Sequence, residues 1–316
     1  MFANILSQSG ANGKQSVPPS KIEPVAVSTY HESDKTSFAK HLRWKMKTRD
    51  IEWMDITPSM AEEFLKYNSC EGFTNRPLSE STVSKYARLI KARLWGIDGN
   101  GTCEPLIVSD LPRLLSCQHR LAAIIKAGVP QRMLVVFGEP DGNFAFIDQG
   151  RRRTASDIFA INGVANFAMA AAAVRWLMSY EAGKTSGDYG AQAEASNQEA
   201  YDAYLRYPNL QESIKVGCKF GRDRLPAPAV AAAIHYLCAQ KSRRAADEYF
   251  EKIASGIGFS RTREPAKQVR DFLTRSDAGR ITRRMTASVL IQGWNAVRTN
   301  KSLPKTINTD VVGAIV

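Results

Sequence analysis

The alternation of apolar and polar positions changes character about halfway along the chain. In the first half, short apolar runs are broken by turn residues, and strand and helix periods interleave. Residues 51–56 read as a strand, and Ser59 followed by Met60, Phe64 and Leu65 predicts a short helix. Ser79 is placed to cap a helix in which Val83, Tyr86, Ala87, Ile90 and Leu94 recur at helical spacing. Residues 106–109 and 113–115 read as strands around the Asp110-Leu111-Pro112 turn. Residues 118–127 predict a helix closed by Gly128, 133–137 a continuous apolar strand, and 144–147 a last strand after the Asp141-Gly142-Asn143 turn. From Thr154 onward the strand signals fade. Helices are expected at 154–161, 166–181, 197–206, 226–240, 242–255, 264–274 and 279–298, with Asn166, Asn197 and Ser242 as caps and a flexible joint at 183–190.

The expected fold is α+β, a small mixed-sheet α/β module over 39–160 followed by an all-helical domain over 161–305. Residues 1–38, rich in Ser, Gly, Asn, Pro and Lys, read as a flexible leader, and 306–316 as a tail. A chain of 316 residues is long enough for both domains.

Charge sharpens this picture. The formal net charge is +12, which favours polyanionic partners. Basic residues concentrate twice. Arg43, Lys45, Lys47 and Arg49 surround Trp44, and the stretch 261–284 holds Arg261, Arg263, Arg280, Arg283 and Arg284 among others. Lys45, Lys47 and the five arginines are therefore candidate DNA contacts, with a solvated face as the alternative for both stretches. No run of 18 apolar residues occurs, and the best stretch, 165–179, contains Arg175. With no secretory signal pattern, the expectation is a cytoplasmic protein without membrane contact. The five cysteines form no C-x-x-C pair and no two of the four histidines sit at ligand spacing, so free thiols and no metal centre are expected. Walker A, G-x-G-x-x-G, G-x-S-x-G and H-E-x-x-H patterns are all absent.

The most informative stretch is Leu114-Leu115-Ser116-Cys117-Gln118-His119-Arg120-Leu121. An apolar run ends in a polar turn that opens a helix, and a helix N-terminus presents free N–H groups and partial positive charge to an anion. Arg120 there works against the macrodipole unless an anion is near; the alternative is a buried ion pair with Asp148 or Asp157. His119 is placed to touch phosphate or orient a water, or else to make a structural hydrogen bond. Gln118 is placed to position a water or nucleotide, and Cys117 to fill core or act as a thiol. Asp148 is the best acidic candidate for a base or a metal, against pairing with an arginine. Arg151, Arg152 and Arg153 cannot all face a core, so a phosphate or DNA contact is expected. Asn75 and Arg76 either line the same site or simply make a turn with Pro77.

These segments resemble, in order and spacing, the ParB/sulfiredoxin superfamily. Its strand-turn-helix motif carries Gly-Glu-Arg-Arg, Gly-Gln-His-Arg or Gly-Gly-Cys-His-Arg where this chain has Gln118-His119-Arg120. Asn75-Arg76-Pro77-Leu78-Ser79, Glu104-Pro105-Leu106-Ile107-Val108 and Ile147-Asp148-Gln149-Gly150-Arg151-Arg152-Arg153-Thr154 are similar to further segments of its phage and plasmid Gln-His-Arg branch. The resemblance covers roughly residues 50–160. It departs at Ser116-Cys117, where the family has a small residue, often Gly; a Cβ at Cys117 is strained if φ is positive. Gln118 replaces the cysteine of sulfiredoxins, so sulfiredoxin chemistry is not expected.

What the resemblance implies is a phosphate pocket built from Asn75, Arg76, Cys117, Gln118, His119, Arg120 and Arg151 to Arg153, with Gln118, His119 and Asp148 as the groups for chemistry. The ligand would be CTP or ATP with Mg2+, and the protein a DNA-associated switch or slow nucleoside triphosphatase in partition, regulation or DNA modification, with a homodimer as a candidate assembly. The competing readings are a ParB-like nuclease and a non-enzymatic DNA-binding regulator.

Overall fold

The computed structural model describes residues 35–70, 73–96, 99–150, 153–183, 195–261, 263–275, 281–304, 307–309 and 311–316. The leader up to residue 34, most of the 183–190 joint, and Arg151, Arg152 and Arg280 lie outside the described residues.

The protein is a mixed α+β structure with a small sheet and many helices. The chain enters through α1 (Lys35–Lys45), so the residues after 34 that read as leader belong to a helix. Phe38, Leu42 and Met46 recur every fourth position and are buried, a stripe masked in sequence by the lysines and arginines between them. Strand β1 (Asp50–Ile56) follows, then α2 (Pro58–Leu65), capped by Thr57 rather than Ser59. Two short strands, β2 (Ser69–Cys70) and β3 (Phe73–Thr74), pair as a hairpin before α3 (Glu80–Lys91), whose cap is Ser79 as expected. Strand β4 (Leu106–Ser109), α4 (Gln118–Ala127) and β5 (Gln131–Glu139) complete the module.

The sheet order is β1-β5-β4, with β5 antiparallel to β1 and parallel to β4. Residues alternate across the pleat: Met133, Val135 and Phe137 of β5 face a core shared with Phe64, Val83, Leu121 and Ile124 of the helices.

Two expected strands are absent as strands. Residues 113–115 make one isolated bridge, Leu114 to Val108, because the segment folds back on β4 and then turns into α4. The stretch expected at 144–147 is instead the end of a 3-10 turn, Asp141–Phe146. Pro140 ends β5, and Phe144 and Phe146 are both exposed, so no face is buried to reward pairing.

The second core begins at Ala155. Helix α5 (Ala155–Ile161), placed in the first module from sequence, packs with α6 (Phe167–Glu181) and α7 (Asn197–Leu205). Then come α8 (Leu210–Arg222), α9 (Pro228–Ser255), α10 (Pro265–Leu273) and α11 (Arg283–Arg298). The two helices expected at 226–240 and 242–255 form one run broken at Ser242, whose φ of −161° is not helical. The cap of α7 is Ser196, with Asn197 as its first residue. Residues after 306 do not form a loose tail: Trp294 Nε1 donates to the Val316 carbonyl at 2.9 Å and Asn295 Nδ2 to that of Ala314 at 2.8 Å.

Candidate functional site

Helix α4 starts without a side-chain cap. Its N-cap residue, Cys117, is left-handed at φ 82°, the conformation that favours glycine. Holding a residue with a Cβ there costs about 1–3 kcal/mol. The thiol donates to the Pro105 carbonyl at 2.9 Å, and burial pushes its pKa up to about 12, so at neutral pH it is a protonated packing group rather than a nucleophile. The first intrahelical bond of α4 is Leu121 N–H to the Cys117 carbonyl, and the amides of the preceding turn lie ahead of it.

This helix start forms part of the wall of a cavity of about 890 Å³. Asn75, Arg76, Ser116, Cys117, Gln118, His119, Arg120, Asp148 and Arg153 all line it, so segments far apart in sequence meet at one place. Arg152, expected with them, lies outside the described residues. Three arginines, Arg76, Arg120 and Arg153, line the space with two acids, Glu104 and Asp148. The helix terminus adds its own partial positive charge, leaving a cationic surface of a size that suits a small phosphorylated molecule.

The individual side chains are not equivalent. Arg120 is 7% exposed and gives Nη1 to the Glu104 carbonyl at 2.6 Å and Nη2 to the Pro105 carbonyl at 3.1 Å. Neither Asp148 nor Asp157, its expected ion-pair partners, holds it: Asp148 accepts from Ser116 Oγ at 3.0 Å, and Asp157 forms a capping box with Thr154. The nearest acid is Glu104, whose carboxylate is 3.9 Å away. Arg120 therefore clamps the segment leading into β4 as well as lining the cavity.

His119 Nε2 accepts the Ser79 backbone N–H at 3.0 Å. A backbone amide only donates, so that nitrogen is unprotonated and the proton sits on Nδ1. The bond ties the start of α3 to the start of α4 and occupies the lone pair a general base would use. Asn75 Nδ2 likewise spends its donors on Asn68 Oδ1 at 3.0 Å and the Leu114 carbonyl at 2.7 Å. Gln118 differs. It is 5% exposed, its Nε2 donates to the Arg76 carbonyl at 2.9 Å, and its buried Oε1 has no hydrogen-bond partner among the described residues. Such an acceptor costs about 1–3 kcal/mol unless something supplies a donor.

Sequence reasoning missed the aromatic wall. Tyr86 and Trp95 line the cavity and meet edge to face, with centroids 4.8 Å apart. Tyr86 reads from its spacing only as a core position of α3. Trp95 is held by the turn that follows: Gly96 is at φ 83°, and a Cβ there would collide with the Gly101 carbonyl oxygen. A tryptophan fixed ahead of an obligatory glycine turn was the available signal.

The candidate DNA contacts divide. Lys45 is bound to Asp50 and lies 3.4 Å from Glu52, with its side chain only 12% exposed, so it is an internal ion pair and not a phosphate contact. Lys47, Arg261, Arg263 and Arg283 are exposed, and Arg284 is half-buried. Among the described residues no group of three His, Cys, Asp or Glu gathers to hold a metal ion, and no helix is long and apolar enough to cross a membrane.

No family model, no curated protein and no solved structure matches this chain.

Proposed function

We propose that the cavity at the start of α4 binds the phosphates of a nucleotide, and that the protein acts as a nucleotide-dependent, DNA-associated switch. The observation that carries this reading is the convergence of Arg76, Arg120 and Arg153 on an uncapped helix N-terminus inside one cavity. Tyr86 and Trp95 on the same wall provide aromatic surface for a base, and the orphaned Gln118 Oε1 awaits a ligand hydroxyl or amine. The resemblance to the ParB/sulfiredoxin superfamily supplies the ligand class, CTP or ATP. Mg2+ fits such a site in the usual way, on the phosphates with one or two carboxylates, and Asp148 and Glu104 are those on the wall.

Binding is better supported than turnover. His119 Nε2 is engaged by Ser79 and Cys117 is a protonated thiol, which leaves Asp148 and Gln118 to orient a water. The DNA part of the proposal rests on the exposed Lys47, Arg261, Arg263 and Arg283 and on the net charge of +12. The test is calorimetric titration of CTP, ATP and GTP with Mg2+, with and without duplex DNA, alongside phosphate release. Saturable binding of one nucleotide is expected; no binding of any of the three defeats the reading.

A further inference from the structure

The sheet has two faces, and the helices cover one. Met54, Ile56, Met133, Val135 and Phe137 point into the core of the α/β module. The residues between them form the other face, by the alternation of the pleat. Ile51, Val136 and Ile107 lie in one row across β1, β5 and β4, and Trp53 lies beside Leu134 in the next. Among the described residues none of these five belongs to either core or packs against one. Ile51 is 63% exposed and Trp53 44%. A sheet face left to water ordinarily carries polar side chains, so an apolar one marks a surface that a partner covers.

Charge says what kind of partner. The basic run around Trp44 ends at Arg49, the residue leading into β1. Asp50 and Glu52 sit on the helix side of β1, where Lys45 holds both. Alternation therefore puts Arg49 on the open face with Ile51 and Trp53. At the other end, Arg132 of β5 lies across from Asp55 and carries its guanidinium 5.7 Å from the centre of the Trp53 ring. A guanidinium beside an indole offers N–H donors to a phosphate and a flat π surface to a base. Lys47, exposed in the turn before β1, adds a third cation, and Asp55 offsets one.

Size narrows the choice. Three strands about 4.8 Å apart and a run of about 20 Å from Arg49 to Asp55 enclose roughly 200 Å2, far below the about 800 Å2 that each partner gives to a stable protein interface. A strip of that width suits one extended chain of bases rather than a folded domain.

We infer that the open face of the sheet binds single-stranded DNA, with bases stacked on Trp53 and phosphates drawn to Lys47, Arg49 and Arg132. A duplex hides the faces of its bases in its own stack, so the single strand is the form this surface selects. The choice of DNA rests on the DNA-associated reading above; the surface itself shares no residue with the cavity.

The test titrates a labelled oligothymidine of about 12 nucleotides, and separately a duplex of the same length, into the full chain at low salt, read by fluorescence polarisation. Trp53→Thr removes the ring and keeps a β-branched residue in the strand. It should weaken the single strand by about ten-fold and leave duplex affinity within about two-fold of wild type. Trp53→Phe restores a ring and should recover most of the loss, which separates stacking from damage to the fold. Single-strand affinity unchanged in Trp53→Thr, an equal loss for the duplex, or no recovery in Trp53→Phe overturns the surface. Wild type that binds duplex alone also overturns it but leaves the DNA-associated reading standing; wild type that binds neither form overturns both.

Discussion

Two regions of this protein, the centre of the helical core and the start of α4, bury polar groups in opposite ways. In the helical domain, His235 is 0% exposed and has both ring nitrogens engaged, Nδ1 with Ser213 Oγ and Nε2 with Asp247 Oδ1, each at 2.9 Å. Tyr249 donates to the Leu290 carbonyl at 2.9 Å, and Trp294 to that of Val316. In the α/β module, the start of α4 has a strained cap, a cavity beside it and a glutamine oxygen without a partner. Satisfied networks fix a core; unsatisfied ones mark where something is missing. The comparison also warns against reading composition alone. Ser213, His235 and Asp247 have the makeup of a hydrolase triad, yet Ser213 is 1% exposed and no substrate reaches it. Their contacts instead pin α8 to α9 on both sides of the break at Ser242.

The largest effect expected is at the centre of the helical core. Trp294→Ala should cost about 3–5 kcal/mol in urea unfolding, through lost packing and the tail carbonyl left behind. Nucleotide affinity of the folded fraction should not change; a parallel loss would show the halves to be coupled more tightly than this account allows. Next comes Arg120→Ala, which should fall on both sides of the comparison. It strands the Glu104 and Pro105 carbonyls, at about 2 kcal/mol of stability, and lowers nucleotide affinity by about ten-fold or more. Loss of stability with unchanged affinity would make Arg120 purely a clamp.

Acid should separate the two regions further. Burial holds the His235 pKa below its ordinary 6.5, so the folded state resists its protonation. The stability this residue supports is complete above about pH 6.5 and is lost as pH falls from there toward the depressed folded value. Glu199, held down at about 2 chiefly by hydrogen bonding from the Arg88 side chain, acts in a lower window. Its contribution is complete above about 4.5 and is lost as pH falls through 2. Melting temperatures from pH 8 to 3 should therefore decline first below 6.5, and His235→Gln should abolish that first decline. A first decline that survives the substitution would assign it to another group, such as His41, whose pKa burial also lowers.

Much of the site was legible because its parts are local. A polar turn before an apolar-periodic helix announces α4, and the Cβ at Cys117 was expected to be strained if φ were positive, as it is. The segments 75–79, 104–108 and 147–154 could be ordered along the chain, but the meeting of Arg76, Glu104, Asp148 and Arg153 depends on β4, α4 and β5 folding together, which no local period specifies. The partners of Arg120 are backbone carbonyls, invisible to a search for acids. Helix α8 escaped notice because Ser213 and Gly217 interrupt the apolar face that Leu210, Ile214 and Phe220 form. Gly217 lies against α9 so closely that a Cβ would stand 2.8 Å from that of Ala232, and Ser213 serves His235. Residues 144–147 alternate like a strand but bury no apolar face, since Phe144 and Phe146 are both exposed.

The smallest structural effect belongs to the most direct test. Arg76 is exposed, and its contribution to the fold is its backbone carbonyl, which accepts from Gln118 and survives any substitution. Arg76→Ala should leave stability within about 0.5 kcal/mol of wild type. Calorimetric titration of the preferred nucleotide into wild type and Arg76→Ala then isolates the cavity. The account predicts saturable binding to the wild type and an affinity lower by about ten-fold in the variant at equal melting temperature. Identical affinities in the two proteins, or no binding to either, would contradict it.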